Sequence, residues 1–210
     1  MPPIRKSYVD VSTGQLHVRS HGSGPQRPLF CFHMSPSSGV VFERFMKVAG
    51  RDRLVVAPDT PGFGMSDTPA AAPGIPDYAR VMGELADALK IAEFDVVGIH
   101  TGSAIAADLG LQRPQQVQHI IMVAAPVFYA EELVQFREFQ AAFNYHLANT
   151  LPRLRPPVLI FNANDALTQP TRRAASYLAN GRILELPEWG AGFFEVHTNE
   201  VVGLVREFTG

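Results

Sequence analysis

A histidine stands between two glycines in FDVVGIHTGSAIAADLG, at the point where an apolar run gives way to a helical pattern. An imidazole at the exposed tip of such a strand-to-helix turn titrates near neutral pH, so His100 has the chemistry of a general base or of a nucleophile. Gly98 and Gly102 let the turn be sharp. The nearest hydroxyl, Ser103, lies one helical turn beyond His100 on nearly the same side, a poor substitute for a side chain at the tip itself. Further groups of chemical interest are dispersed. His33, Met34 and Ser35 follow the run LFCF, Asp165 lies in VLIFNANDALTQP, and His197 lies in FFEVHTNE. Imidazole and carboxylate also suit zinc or iron, but no spacing such as H-E-x-x-H links His33, His100 and Asp165, and no metal or other cofactor is expected.

Each of these residues also has a purely structural reading. His100 could be a polar plug bonded to a loop carbonyl, Asp165 a cap on the turn that follows it, and His33 a packing residue. His197 reads as an exposed polar residue near the start of the last helix. The aromatics Trp189, Phe193 and Phe194 read as core or lid contacts.

The elements that must position these groups alternate along the chain. KSYVDV and QLHVRS alternate apolar and polar residues around the turn STG, which predicts an antiparallel hairpin with one wet face. The later runs PLFCF, RLVVAP, FDVVGI, HIIMVAA, PPVLIFNA and RILELP are nearly continuous in apolar character, as strands covered on both faces require. Between them, helical patterns cover roughly Gly39 to Val48, Tyr78 to Leu89, Gly102 to Leu111, Thr171 to Leu178 and Glu195 to Phe208. Strand alternating with helix predicts a doubly wound, mostly parallel α/β sheet led by the hairpin, with ligands bound at the carboxyl ends of the strands. PDTPGFGMSDTPAAAPGIPD, rich in proline and glycine, reads as one long surface loop. Residues 127–149 read as a short lid.

The totals agree with one domain over 1–210. The chain has 210 residues, 46% of them hydrophobic and 18% charged, an ordinary globular balance. With a formal net charge of −2 and no Lys/Arg block, it lacks the electrostatic footprint of a nucleic-acid or anionic-membrane binder. The single cysteine, Cys31, cannot form an internal disulfide and reads as a core residue. No secretory leader and no membrane span are evident, so a cytoplasmic location is the expectation.

The succession LFCF followed by His33, Met34, Ser35 and Pro36, then RLVVAPDTPGFGMSD, then the Gly98 to Gly102 turn, resembles the α/β-hydrolase superfamily over nearly the whole chain. The resemblance implies a nucleophile elbow centred on His100, an acid loop carrying Asp165, and a histidine loop in LPEWGAGFFEVHTNEVV. Two of the three triad positions depart from the pattern: His100 replaces the usual serine, cysteine or aspartate, and Ala191 stands after Gly190 where the histidine is expected. The resemblance also places the backbone amides of Ser35 and Thr101 as oxyanion donors, with His33, Met34 and Ser103 lining the same pocket. The insert after HIIMVAA is short for relatives with this elbow, and an uncovered cap face could promote self-association.

These features lead to the expectation of a small carbonyl-containing ligand. Its most concrete form is hydrolysis of an activated ester or lactone, with His100 as base for water. A non-catalytic binding protein and a cofactor-free lyase or isomerase remain the alternatives.

Overall fold

The apolar runs form strands because Val, Ile and Phe suit a pleated surface buried on both faces. The computed structural model describes residues 3–129 and 145–210. The strands are β1 (Arg5–Val11), β2 (Gly14–His21), β3 (Gln26–Phe32), β4 (Arg53–Pro58), β5 (Phe94–Ile99), β6 (Val117–Val123), β7 (Val158–Asn164) and β8 (Gly181–Gly190). They form one sheet in the order β1-β2-β4-β3-β5-β6-β7-β8. Pairing is antiparallel between β1 and β2 and between β2 and β4, and parallel from there to β8. This is the expected hairpin leading into a doubly wound sheet.

Helices cover both faces. On one side, α2 (Ile75–Ala88), α3 (Thr101–Gln112) and the short α4 (Leu147–Thr150) pack on Phe30, Phe32, Val96, Ile120 and Ile160. On the other, α1 (Glu43–Ala49), α6 (Phe193–Val196) and α7 (Thr198–Thr209) pack on Leu29, Cys31, Val55, Val97 and Ile121. Neighbouring residues of one strand serve opposite cores, which is the two-residue period of a pleated strand. A further helix, α5 (Thr168–Ala175), joins β7 to β8.

Several expected boundaries move. α2 begins at Ile75, inside the predicted loop, because Pro76 in the first turn forfeits no helical hydrogen bond and Asp77 accepts from the Gly74 N–H at 3.0 Å. α5 runs over Thr168–Ala175 rather than Thr171 to Leu178, since Pro170 is tolerated in its first turn. The last predicted helix is two, α6 and α7, broken at His197, where the Thr198 hydroxyl bonds the carbonyls of Phe194 and Glu195 at 2.8 and 2.9 Å. Residues 130–144 of the expected lid lie outside the described residues.

The hairpin has its wet face only on β1. On β2, Leu16, His17, Val18 and Arg19 are all buried, so the polar positions of the alternation face protein as fully as the apolar ones. They are buried against Asp59, in the loop after β4. A second buried carboxylate, Asp95, gathers Arg27, Arg53 and His119 at the amino-terminal ends of the parallel strands, where Arg27 also bonds the Thr209 carbonyl at 2.8 Å. That cluster fastens the end of α7 to the sheet, at the pole away from the candidate site.

Candidate active site

Loops at the carboxyl ends of β3, β4, β5, β7 and β8 define the site. β5 passes into α3 through His100, whose backbone is at φ 53° and ψ −114°. A non-glycine residue there carries strain of about 1–3 kcal/mol, held by its surroundings. Two of the restraints are visible: the His100 N–H donates to the Val123 carbonyl at 2.9 Å, and the Ser103 N–H donates to the His100 carbonyl at 2.9 Å. The flanking glycines serve close approach, not positive φ. A Cβ on Gly98 would fall 2.1 Å from the Gly102 carbonyl oxygen, and one on Gly102 would fall 2.1 Å from that of Phe32. The strain is concentrated on His100 itself.

The His100 residue is exposed and, among the described residues, its ring has no hydrogen-bond partner. Partial desolvation against the turn holds its pKa below the ordinary imidazole value of 6.5, while the negative charge of Asp165 acts in the opposite sense. At neutral pH the ring is uncharged. Asp165 is half-buried on the β7–α5 turn, where its carboxylate accepts from the Leu167 N–H at 2.7 Å. Its charge acts on His100 through space, while its hydrogen bond caps its own turn.

His33 is buried, with both ring nitrogens engaged. Nε2 accepts from the Thr60 N–H at 3.0 Å, which makes Nδ1 the protonated nitrogen, donating to the Met34 carbonyl at 2.8 Å. Burial lowers its pKa more than the Met34 bond and the Asp59 charge raise it, so the ring stays neutral. His33 therefore ties the β3 loop to the β4 loop rather than facing a ligand. Met34 is half-buried against the α1 and α7 side of the core. Ser35 donates its N–H to Thr101 Oγ1 at 3.4 Å, a long bond that brings the β3 loop to the first residue of α3. The amide of Thr101 opens that helix, where no intrahelical acceptor exists.

Ser103 is fully buried beneath the turn. Its hydroxyl lies 2.7 Å from the Gly98 carbonyl and 2.9 Å from the Val123 carbonyl, and accepts from the Val123 N–H at 3.2 Å. It fastens β5 and β6 under α3 and does not line the pocket as expected from the sequence. The turn after β8 offers no imidazole: Ala191 is exposed, Gly192 is left-handed, and Phe193 is buried against Phe161 and Trp189. The next imidazole, His197, stacks on Trp189 with ring centroids 4.4 Å apart and lies 3.8 Å from the Glu200 carboxylate. Among the described residues, no group of three or more His, Cys, Asp or Glu could hold a metal ion.

Asp59 supports the site without facing it. Fully buried, it accepts from Arg19 at 2.7 Å, the Gly39 N–H at 2.8 Å, His17 at 2.9 Å and the Met65 N–H at 3.0 Å. Burial pushes its carboxyl up, but the Met65 and Gly39 amides, His17 and the Arg19 charge together hold it below the usual carboxylate range. One carboxylate thus fixes the segment after Ser35, the β4 loop and β2. The sequence reading missed Asp59, because nothing local in PDTPGFGMSD or QLHVRS pairs this acid with His17 and Arg19.

Comparisons place these features among known proteins. Residues 27–159 match the model of the alpha/beta hydrolase fold family. Haloalkane dehalogenase 2 of Mycobacterium tuberculosis is 32% identical over 122 residues, 57% of this chain and 42% of that protein. An epoxide hydrolase of Caballeronia sordidicola is 29% identical over 189 residues, 88% of this chain and 56% of that protein. The chain thus spans about half the length of these relatives. Among solved structures, a hydrolase from Pseudomonas aeruginosa PA01 superposes with a TM-score of 0.85 at 17% identity, covering 98% of each chain. Among the described residues, no helix is long and apolar enough to cross a membrane. The sheet order, the strand-to-helix turn and the family match lead to one conclusion: the chain belongs to the alpha/beta hydrolase fold family.

Proposed function

We propose that the chain is a hydrolase for small carbonyl-containing substrates, esters or lactones, acting through His100 in place of a Ser-His-Asp triad. The observation that carries this reading is an imidazole with its pKa held below the ordinary value and with no ring hydrogen bond among the described residues, at the tip of a strained strand-to-helix turn, beside the amides of Ser35 and Thr101. In this reading the turn is the nucleophile elbow and the two amides are the oxyanion donors, the Ser35 N–H exchanging its long bond to Thr101 Oγ1 for the carbonyl oxygen. They meet the charge that develops on the carbonyl oxygen as His100 supplies its lone pair, either to a proton of water or to the carbonyl carbon. Strain retained at a non-glycine residue fits a functional constraint. The epoxide hydrolase among the relatives, by its name, supports hydrolysis as the reaction class.

A second reading has its own support. The Asp165 carboxylate is turned toward the Leu167 N–H, and the turn after β8 supplies no imidazole, so the site also fits a protein that binds a carbonyl compound without transforming it. Initial rates on 4-nitrophenyl acetate separate the two. Hydrolysis by the wild-type chain that falls to background in His100→Ala, with the fold retained by circular dichroism, supports the hydrolase. Saturable thermal stabilisation by a small carboxylate with no turnover in either protein supports the binder.

A further inference from the structure

The two edges of the sheet are built differently. Among the described residues, β8 pairs only with β7 and β1 pairs only with β2. An open edge invites a further strand unless the sequence blunts it. β8 is blunted: Pro187 has no N–H to offer, and the register with β7 breaks between the Ala163–Leu186 and Asn164–Gly190 pairs. β1 carries neither device. Its register with β2 runs unbroken from Arg5 opposite Ser20 to Val11 opposite Gly14, and RKSYVDV contains no proline.

The bonds of β2 fix which groups of β1 face outward. Gln15 donates its N–H to the Asp67 carboxylate at 2.8 Å and His17 donates to Ser66 Oγ at 2.9 Å. The carbonyls of the same two residues accept from the amides of Asp67 at 3.0 Å and Asp59 at 2.9 Å. Gln15 and His17 thus turn their main chain away from β1. Alternation along an antiparallel ladder then leaves Arg5, Ser7 and Val9 as the β1 residues bonded to β2, and directs the N–H and C=O of Lys6, Tyr8 and Asp10 out of the sheet. The side chains of these three share one face, while Val9 and Val11 pack on the core from the other. Tyr8 lies against the His17 ring, centroids 5.4 Å apart, and is still 49% exposed. Asp10 accepts from Gln15 Nε2 at 2.8 Å through one carboxylate oxygen. Lys6 is exposed and joins no ion pair among the described residues.

We infer that β1 is a self-association edge. Two copies of the chain pair their β1 strands antiparallel about a two-fold axis at Tyr8, so that one sheet runs through both. Tyr8 is the midpoint of Arg5–Val11, and this register pairs the whole strand. It sets Lys6 of each copy opposite Asp10 of the other, and Tyr8 opposite Tyr8, all on one face, where opposite charges and aromatic pairs stabilise a sheet. Moving the axis to Ser7 or Val9 keeps main-chain bonds but sets Tyr8 against Lys6 or Asp10 and forfeits both charge pairs. A two-fold operator uses the same patch on both copies, so the assembly closes as a dimer. β1 is separated from β5 and its turn by β2, β4 and β3, and the inference does not depend on what His100 does.

Sedimentation velocity of the full chain, over a concentration series in the micromolar range, tests it. The wild type should pass from the mass of one chain to that of two as concentration rises. Lys6→Glu and Asp10→Lys each set like charges opposite one another at both ends of the pairing, and each should raise the dimer dissociation constant by at least about tenfold. An equimolar mixture of these two variants should dimerise as the wild type does, because each copy then offers the other an opposite charge at both positions. Tyr8→Pro removes an outward N–H at no cost in bonds to β2, and should give a monomer with the native circular dichroism spectrum. A wild type that stays at the mass of one chain throughout overturns the inference. A dimer that survives both Lys6→Glu and Tyr8→Pro also overturns it, and places the contact on another surface. Variants that separate but do not recover on mixing overturn the antiparallel register about Tyr8.

Discussion

Replacing Asp59 by asparagine should destabilise the protein more than any other single-atom change near the site. The substitution preserves volume, so no cavity forms. It exchanges one acceptor oxygen for a donor NH2 while Arg19, His17 and the Gly39 and Met65 amides still point at the group. Arg19 loses a buried counter-charge and at least one N–H is left facing another donor. Breaking a buried, hydrogen-bonded charge pair costs about 3–5 kcal/mol. With an m-value of about 2–3 kcal/mol/M in urea, the unfolding midpoint should drop by roughly 1–2.5 M. The pH dependence has a definite sign. The folded carboxyl has a pKa below its ordinary value of 3.8, so in that acidic window the native state binds fewer protons than the unfolded chain. Its contribution is fully present above that value and is lost as pH falls through the lowered folded pKa. The gap between wild type and variant should therefore stay constant at neutral pH and close only in strong acid. A midpoint shift corresponding to less than about 1 kcal/mol, as an exposed ion pair would give, would refute the view that Asp59 organises these loops.

Further outcomes follow from the same contacts. His100→Gly should raise stability by about 1 kcal/mol, because glycine adopts φ 53° freely, while abolishing ester hydrolysis; equilibrium unfolding and initial rates measure both. Ser103→Ala should cost about 1–3 kcal/mol because it removes the hydroxyl partner of the buried Gly98 carbonyl and Val123 amide, yet keep the rate per folded molecule within an order of magnitude, whereas a serine nucleophile would lose it. His33 has a lowered folded pKa, so its contribution is intact above about 6.5 and erodes as pH falls below that, where the unfolded chain gains the proton first. His33→Asn should flatten that part of the stability-against-pH curve. Cys31, fully buried with its thiol pKa pushed well up by burial, should resist iodoacetamide in the native protein and react once it is unfolded.

The sheet was legible because its inner strands leave little choice. LFCF, FDVVGI and PPVLIFNA are too continuously apolar for anything but a strand covered on both faces, and alternation with helices then fixes parallel pairing. The hairpin shows the limit of that logic. His17 and Arg19 alternate with Leu16 and Val18 as solvent-facing residues would, but Asp59, forty-two and forty positions further on, covers them. Local pattern carries no record of a partner so distant in sequence. Helix starts were misplaced at Ile75 and Thr168 because Pro76 and Pro170 look like breakers and are harmless in a first turn. At the site, the tip position of His100 was readable from the two flanking glycines. The commitments of His33 and Ser103 were not, because each depends on where a neighbouring backbone runs, and that is a property of the folded sheet.

The central claim is that a neutral His100 imidazole performs the chemistry, and its most direct test joins two titrations. The pH dependence of kcat/KM for 4-nitrophenyl acetate reports the essential group of the free protein, and NMR of ring-labelled histidine, assigned through His100→Ala, reports the pKa of His100. The account predicts one common inflection below 6.5, with the rate constant above it and declining as pH falls through it. A kinetic inflection that does not coincide with the His100 titration, or that persists in His100→Ala, would contradict it.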